Sequence, residues 1–443
     1  MDIELLHDVV RAARAAGADV AEAVAAERSA LSVGVRLGAL EEVEREEARD
    51  LGLRVFVGQR QAVVSSSDIS PAARAKLVER AVAMARLAPE DPYAGLAPED
   101  RLARGPLPDL DLYDPTDRSP ETLEALAHEA EDAARAIDGV KNSEGGSASW
   151  STNAWAFVTS HGFEGRHRAS GFSLSASVIA GEGSGMERGG EGRSTRYAED
   201  LPAPAEIGAE AGRRAVARLR PHKLESRTAP VMFENRVALS IISPFIGAVA
   251  GPAVARGISF LKDKLGQPVF APGLRIVDTP HRRRGLGSAP FDDEGVATED
   301  LALIEDGRLT SWLLNSASAR QLGLQTTGHA SRGLAGPPGV ASHNLTVEPG
   351  KETPQALRSA VGSGLLVTSM FGPSLNANTG DWSAGVSGFW FENGEVAYPV
   401  NEITVAANLI DLYKRVVPAS DLEIRGAANA PSLLVDAVAI AGR

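Results

Sequence analysis

The stretch Phe391-Glu392-Asn393-Gly394-Glu395-Val396 predicts a β-hairpin in the last third of the chain. An Asn-Gly pair between extended flanks supplies the positive φ angles that a tight hairpin turn requires. A second hairpin is predicted at 303–309, where Asp306-Gly307 separates two short runs of strand-forming residues. These signals indicate that the region from 229 to 443 is a β-rich domain, interrupted by one apolar helix.

Toward the N-terminus, amphipathic helices alternate with short strands. The serine-proline pairs Ser70-Pro71 and Ser119-Pro120 are typical of a helix N-cap followed by a first-turn proline. Strand patterns surround a turn at Gly58-Gln59. Helices are predicted at 3–16, 71–87, 120–137 and 204–219, and strands at 31–35, 53–57, 61–64, 154–158 and 172–176.

This order predicts an α+β fold with two smaller helix-plus-antiparallel-sheet N-terminal layers and a larger β-rich C-terminal domain. A segment rich in proline, glycine and aspartate at 88–119 indicates a linker. The predicted domains are therefore 1–115, which includes most of this linker, 116–228 and 229–443.

Composition excludes several classes of function. The chain has 443 residues and a net charge of −13, and a surface of that sign disfavours sequence-independent binding of nucleic acid. It contains no cysteine, so disulfides, thiolate metal ligands and cysteine nucleophiles are excluded. The acidic start, Met1-Asp2-Ile3-Glu4, lacks the basic and apolar regions of a secretory signal, and we expect a cytoplasmic protein.

The segment 237–255 carries no charged residue and is long enough to cross a bilayer. Its prolines and glycines, and the lack of basic or aromatic flanks, favour a covered helix of a soluble protein instead. We expect a helix that begins or kinks at Pro244, because proline lacks the amide hydrogen that a helix interior uses.

A search for catalytic chemistry finds no complete motif. No two of the eight histidines have the His-Glu-x-x-His spacing of a zinc peptidase. The Gly-x-Ser-x-Gly elbow of serine hydrolases and the phosphate-binding P-loop are also missing. The acid pair Asp292-Asp293 is unremarkable in a chain with 58 acidic residues. We therefore predict no catalytic residue, no metal site and no cofactor in this chain.

Several stretches in the same order resemble motifs of the TldD/PmbA family, and together they span most of the chain. They are 89–92, 259–267, 285–296, 343–347, 379–390, 392–395 and 398–400. The resemblance implies one of two branches. In the TldD branch a helix carries His-Glu-x-x-x-His and a cysteine near the C-terminus completes the zinc site. The PmbA branch, also called TldE, lacks these groups and pairs with TldD.

The resemblance places the zinc motif at 243–248, where this chain has Ser243, Pro244 and Ala248. Ser243 and Ala248 then stand at the histidine positions and Pro244 at that of the general-base glutamate. Serine is a poor zinc ligand, alanine is none, and proline cannot accept a proton from water. We expect Ser243 and Ala248 to face an enclosed cavity, on a helix that bends near Gly247.

The resemblance implies the metal-free subunit of a cytosolic metallopeptidase that degrades or matures unfolded peptides, with zinc held by a TldD-like partner. Loops at 328–340 and 376–381 are candidates for peptide contact, through His329, Asn376 and Asp381, and a purely structural role is the alternative. In isolation the chain could instead form a homodimer. No contact with a membrane is expected. The other hypotheses are a stand-alone regulatory protein acting on a macromolecule such as DNA gyrase, and an independent peptidase with an unrecognised nucleophile.

Overall fold

The computed structural model describes residues 3–442; Met1, Asp2 and Arg443 lie outside the described residues, and with them the first two positions of the acidic N-terminus. Its helices are α1 Ile3–Ala15, α2 Pro71–Leu87, α3 Pro120–Arg135, α4 Pro204–Ala217, α5 Asn235–Ala248, α6 Gly251–Ala255, α7 Ser316–Leu322, α8 Pro354–Val361 and α9 Leu409–Tyr413.

The strands fall into an N-terminal set of six and a C-terminal set of twelve. The first set is β1 Val20–Arg36, β2 Ala39–Val57, β3 Arg60–Ser66, β4 Val140–Thr159, β5 Glu164–Ala180 and β6 Glu187–Thr195. The second is β7 Arg227–Phe233, β8 Ile276–Asp278, β9 Leu301–Glu305, β10 Arg308–Leu309, β11 Ala330–Ser331, β12 Gly339–Val340, β13 Leu345–Val347, β14 Ser363–Leu375, β15 Asp381–Glu392, β16 Glu395–Asn408, β17 Val416–Pro418 and β18 Leu433–Ala441.

The two N-terminal layers share one six-stranded antiparallel sheet, in the order β3-β2-β1-β4-β5-β6. Strand β1 joins them, because it pairs with β2 on one side and β4 on the other. Its odd-numbered side chains face the helices: Ala21 and Ala23 pack with α1 and α2, and residues from Leu31 to Val35 pack with α3 and α4. Since side chains alternate along a strand, Glu22 and Val24 point to the opposite face.

That opposite face meets the C-terminal domain. Val24 packs in one cluster with Phe157, Phe291 and Val296. The backbone around Leu334 also comes so near to β2 that a Cβ atom on Gly52 would lie 2.8 Å from the Leu334 carbonyl oxygen. Glycine at position 52 therefore permits the close approach of the segment that follows β11.

In the C-terminal domain the main sheet closes on itself. Its order is β16-β15-β14-β7-β18-β17, and β16 also pairs with β18. The pairs are antiparallel except that of β7 with β14. The hairpins predicted at Asp306-Gly307 and Asn393-Gly394 are confirmed, with positive φ angles at all four residues. The α+β class and the larger β-rich C-terminal domain are confirmed as well.

The N-terminal helices match their predicted bounds to within two residues. Helix α2 covers 71–87 as predicted, and the Ser70 hydroxyl oxygen accepts a hydrogen bond from the Ala73 amide at 3.3 Å. The Ser119 hydroxyl oxygen caps α3 in the same way. Helices α3 and α4 end two residues earlier than predicted. The strands are much longer than the apolar runs that indicated them, because polar residues continue the pairing beyond the covered face.

The uncharged segment 237–255 forms most of α5 and all of α6, with a break at Val249 and Ala250. Of the two expectations for Pro244, the helix start is wrong, since α5 begins at Asn235 and holds Pro244 in its interior. A kink at Pro244 stays a prediction. Five α5 residues lie in the core of the C-terminal domain, which explains why the helix is apolar. Among residues 3–442, no helix has both the length and the apolar character that crossing a bilayer requires.

Candidate functional site

Helix α5 presents the two positions that the family resemblance assigns to zinc ligands in different environments. Ser243 is exposed, and its hydroxyl donates a hydrogen bond to the Leu239 carbonyl oxygen at 2.8 Å. Ala248 is 6% exposed and packs in the hydrophobic core. The expectation that both face a cavity is therefore wrong for Ala248.

Helix geometry explains this difference. Residues five apart on a regular α-helix point about 140° away from each other. Helix α5 stays α-helical through Ala248, and a Cβ atom on Gly247 would meet no other atom within 4 Å. The bend expected near Gly247, which would bring the two positions to one face, is not seen among the described residues.

The candidate peptide-contact residues also differ from one another. Asn376 and Asp381 are exposed at the turn between β14 and β15, where the Asn376 amide donates to the Asp381 carbonyl oxygen at 2.9 Å. Hydrogen bonds from Asn408 and Thr379 lower the pKa of Asp381. His329 is 1% exposed, so its assignment to a peptide-contact loop is corrected: a peptide cannot reach it in this structure.

Instead, His329 belongs to a buried cluster with Asp278 and His343. Asp278 ends β8, and His343 lies two residues before β13, which pairs with β8. The Nε2 atom of His329 is 3.0 Å from Asp278 Oδ2, and the Nδ1 atom of His343 is 3.4 Å from the same oxygen. One nitrogen or oxygen atom from each residue lies within 4.8 Å of the other two. The three side chains could together hold a metal ion.

A hydrogen bond places a ring hydrogen on Nδ1 of His329. Its Nδ1 atom lies 2.7 Å from the Thr327 carbonyl oxygen. A carbonyl only accepts, so Nδ1 carries the hydrogen and Nε2 of the neutral ring presents a lone pair. That lone pair faces a carboxylate oxygen of Asp278 at 3.0 Å. Two acceptors at this distance repel each other unless a proton or a metal cation lies between them.

The two carboxylate oxygens of Asp278 differ in their hydrogen bonding. Its Oδ2 atom also accepts the backbone amide of His343 at 2.7 Å, whereas Oδ1 is buried and has no hydrogen-bond partner among residues 3–442. The His343 contact at 3.4 Å lacks good hydrogen-bond geometry, and Nδ1 is buried without another partner in the same range. Burial alone would raise the pKa of Asp278, but the interactions with His329 and His343 outweigh it and hold the pKa below its usual range.

A second buried polar network joins the cluster to the N-terminal sheet. Glu22 on β1 accepts a hydrogen bond from Arg54 on β2 at 3.1 Å and another from Arg332, just after β11. The Arg332 amide donates to Asp293 at 2.8 Å. The segment 329–332 thus carries a histidine of the cluster at one end and an arginine of this network at the other.

Carboxylates beside this network are buried, which the sequence did not indicate. Asp292 and Glu294 are each 2% exposed, and their oxygens accept backbone hydrogen bonds from Ala330 and Ser316, respectively. Burial, and then the neighbouring charge of Glu294, raises the pKa of Asp292; burial also raises that of Glu294. These residues hold the loops around the cluster by accepting their amides.

Sequence spacing could not reveal the Asp-His-His cluster, since His329 and His343 lie 51 and 65 residues after Asp278. The pairing of β8 with β13 is the signal that could have brought Asp278 and His343 together. Other histidines have separate partners. His161 contacts Thr159 and the Ala97 carbonyl oxygen, and burial, followed by the charge of Arg196, lowers the pKa of His167 to about 4.

Matches to known proteins cover nearly the whole chain. Models of PmbA/TldA metallopeptidase domain 1, the central domain and the C-terminal domain match residues 21–85, 113–219 and 226–442. Metalloprotease PmbA of Escherichia coli O157:H7 is 40% identical over 96% of this chain and 93% of its own length. A PmbA homologue of Haemophilus influenzae is also 40% identical, over 98% and 94%.

Solved structures show the same fold. A candidate modulator of DNA gyrase from Bacteroides thetaiotaomicron superposes with a TM-score of 0.92 and 26% identity, over 100% of this chain and 99% of the other. TldE from Thermococcus kodakarensis superposes with a TM-score of 0.87 and 20% identity, over 99% and 100%. The family models, the identity to PmbA proteins and the shared fold agree, and the chain belongs to the TldD/PmbA family of metallopeptidases.

Proposed function

We propose that this chain is the TldE-like subunit of a cytoplasmic two-subunit metallopeptidase whose catalytic zinc lies in a TldD-like partner. The complex would degrade or mature unfolded peptides. The relatives named metalloprotease PmbA support a role in proteolysis. The proposal that zinc is held by the partner and not by this chain rests on residues of this chain.

The observation that carries the proposal is the chemistry of α5. At the two aligned ligand positions the helix has an exposed serine whose hydroxyl is bonded to its own backbone, and a buried alanine. Pro244 stands where a hydrolytic zinc site needs a general base. The chain also has no cysteine to complete such a site. An autonomous zinc peptidase centre on this helix is therefore not expected.

The sheets support the proposal that this subunit helps to hold the substrate. An extended peptide can add to an exposed sheet edge through backbone hydrogen bonds, which requires little sequence preference. In the main C-terminal sheet β16 also pairs with β18 over three residues, whereas the N-terminal sheet ends in β3 and β6, which have a neighbouring strand on one side only. We expect the complex to exclude folded proteins because a peptide must be extended to pair in this way.

The test is co-purification of this chain with a TldD-like protein that carries His-Glu-x-x-x-His, followed by peptidase assays of each chain and of the mixture. We expect cleavage of an unstructured peptide by the mixture, loss of cleavage with a chelator, and no cleavage by this chain alone. Mutation of the partner's glutamate is the matched control and should abolish activity of the mixture. Chelator-resistant hydrolysis by this chain alone, surviving repurification, would contradict the proposal and favour an independent peptidase.

A further inference from the structure

We propose that Asp278, His329 and His343 form a structural binding site for a divalent first-row transition-metal ion such as zinc. The site is separate from the α5 positions discussed above, and it does not depend on the proposed peptidase partner. The expectation of a chain without any metal rested on sequence spacing, which does not bring these three residues together.

The first argument is the arrangement of the ligand atoms. In a tetrahedral zinc site with bonds near 2.0–2.1 Å, two ligand atoms are about 3.3 Å apart. The two histidine nitrogens lie 3.0 and 3.4 Å from Asp278 Oδ2, close to that spacing. Two imidazoles and a carboxylate, without a thiolate, are a ligand set that suits zinc or iron(II).

The second argument is the hydrogen bond on the far side of His329. Metal-binding histidines usually donate their other ring N–H to a carbonyl or carboxylate, which directs the lone pair toward the metal. The Nδ1 atom of His329 does this with the Thr327 carbonyl oxygen. Its Nε2 lone pair is thereby aimed at the centre of the cluster.

The third argument is the set of buried atoms without partners. Asp278 is fully buried, yet its Oδ1 atom has no hydrogen-bond partner among residues 3–442, and the same holds for Nδ1 of His343. Buried polar atoms are rarely left unpaired. A metal ion would take the nitrogen as a ligand, and Oδ1 of Asp278 could supply a further one.

Protonation of the ring nitrogens is the alternative to a metal. The histidine rings are 4.9 Å apart, so two imidazolium ions would repel each other. Arg282, which interacts electrostatically with Asp278, already places one positive charge beside the cluster, and Asp293 near His343 supplies a negative one. A metal ion would bind both nitrogens as ligands, whereas the metal-free alternative needs an added proton on Nε2 of His329 and the ring hydrogen of His343 on Nδ1. Arg282 would also weaken binding of any cation, so we expect moderate affinity.

A metal here would fasten three segments: the end of β8, the chain before β13 and the chain before β11. The last of these leads to Arg332, which contacts Glu22 on the N-terminal sheet. The cluster is buried, with His343 the most exposed member at 8%, so substrate has no access to the metal. The expected role is therefore to hold the contact between the N-terminal sheet and the C-terminal domain.

The test uses the full chain without any partner, freed of metal by chelator and exchanged into clean buffer. Competition with a chromophoric chelator should show close to one zinc per chain, and cobalt(II) should give the visible absorption of a nitrogen- and oxygen-liganded site. Asp278→Asn and His343→Asn should each weaken zinc binding by more than about 100-fold. His161→Asn is the matched control, because this half-buried histidine also bonds to a backbone carbonyl, and it should bind zinc like the wild type.

Crystals of the wild-type chain grown with zinc provide a readout that does not rely on the variants folding. Anomalous diffraction at the zinc edge should give a peak between the three side chains. Less than a tenth of an equivalent bound by folded wild-type protein, a peak elsewhere only, or full binding by folded Asp278→Asn would overturn the proposal and leave a hydrogen-bonded His-Asp-His cluster.

Discussion

At the residue scale, positions 243 and 248 lie on the same helix but tolerate different side chains, because their burial differs. Ser243 is exposed on α5 and Ala248 lies in the core. A histidine at position 248 would force a ring into packed surroundings and bury its polar nitrogens. We predict that Ala248→His lowers the free energy of unfolding by roughly 2–4 kcal/mol.

The same substitution at the exposed position is the natural comparison. Ser243→His should change the free energy of unfolding by no more than about 0.5 kcal/mol, as is usual for surface changes. Urea denaturation of both variants measures the difference. Equal effects of the two substitutions would show that Ala248 is not in the core and that the helix is rotated or bulged relative to this structure.

At the scale of elements, strand β1 connects the N-terminal sheet to the segment after β11 through Glu22. This carboxylate is 1% exposed and contacts the guanidinium groups of Arg54 and Arg332, which are also buried. Removing one partner from a buried ionic group leaves charge without compensation. We predict that Glu22→Ala lowers the free energy of unfolding by about 3–5 kcal/mol.

Glu27 on the same strand provides the control. Its ion pair with Arg49, at 2.5 Å, lies at the surface, where such pairs contribute about 0–1 kcal/mol. Glu27→Ala should therefore have a small effect in the same chemical denaturation experiment. A cost for Glu22→Ala as small as that for Glu27→Ala would mean that the buried network does not stabilise the junction between the sheets.

At the scale of the whole molecule, Asp111 links three parts of the chain. It lies in the linker near the end of the first predicted domain, and it contacts Tyr197, just after β6, and Arg284 in the C-terminal domain. A hydrogen bond from Tyr197, and then one from Arg284, holds the pKa of Asp111 at about 2 instead of 3.8. Because the pKa in the folded state is lowered, the stabilisation is present above about pH 4 and is lost as the pH falls toward 2.

We predict that Asp111→Asn is less stable than the wild type at pH 6, and that this difference shrinks as the pH falls from about 4 to 2. Urea midpoints at a series of pH values measure the change. Asp138→Asn, at an exposed carboxylate, serves as the control and should differ from the wild type by a similar amount at each pH. A constant difference for Asp111→Asn would show that its contacts do not couple to protonation.

The sequence by itself determined the elements whose causes are local. Ser70-Pro71 set the start of α2, and Asn393-Gly394 set a hairpin turn, because caps and turns depend on a few neighbouring residues. The chemistry that is missing at Ser243, Pro244 and Ala248 was also visible without a structure, since residue type alone excludes it.

Only the tertiary structure decided how distant segments combine. Strand β1 pairs with β4, more than a hundred residues away, and this makes one sheet of two predicted layers. The burial of Ala248 and His329 depends on what packs over them, which helical or strand periodicity does not specify. Asp278, His329 and His343 meet because strand pairing and loop packing bring them together. The three residues of the candidate metal site come from separate segments, so no short sequence motif contains them. Their geometry exists only after folding.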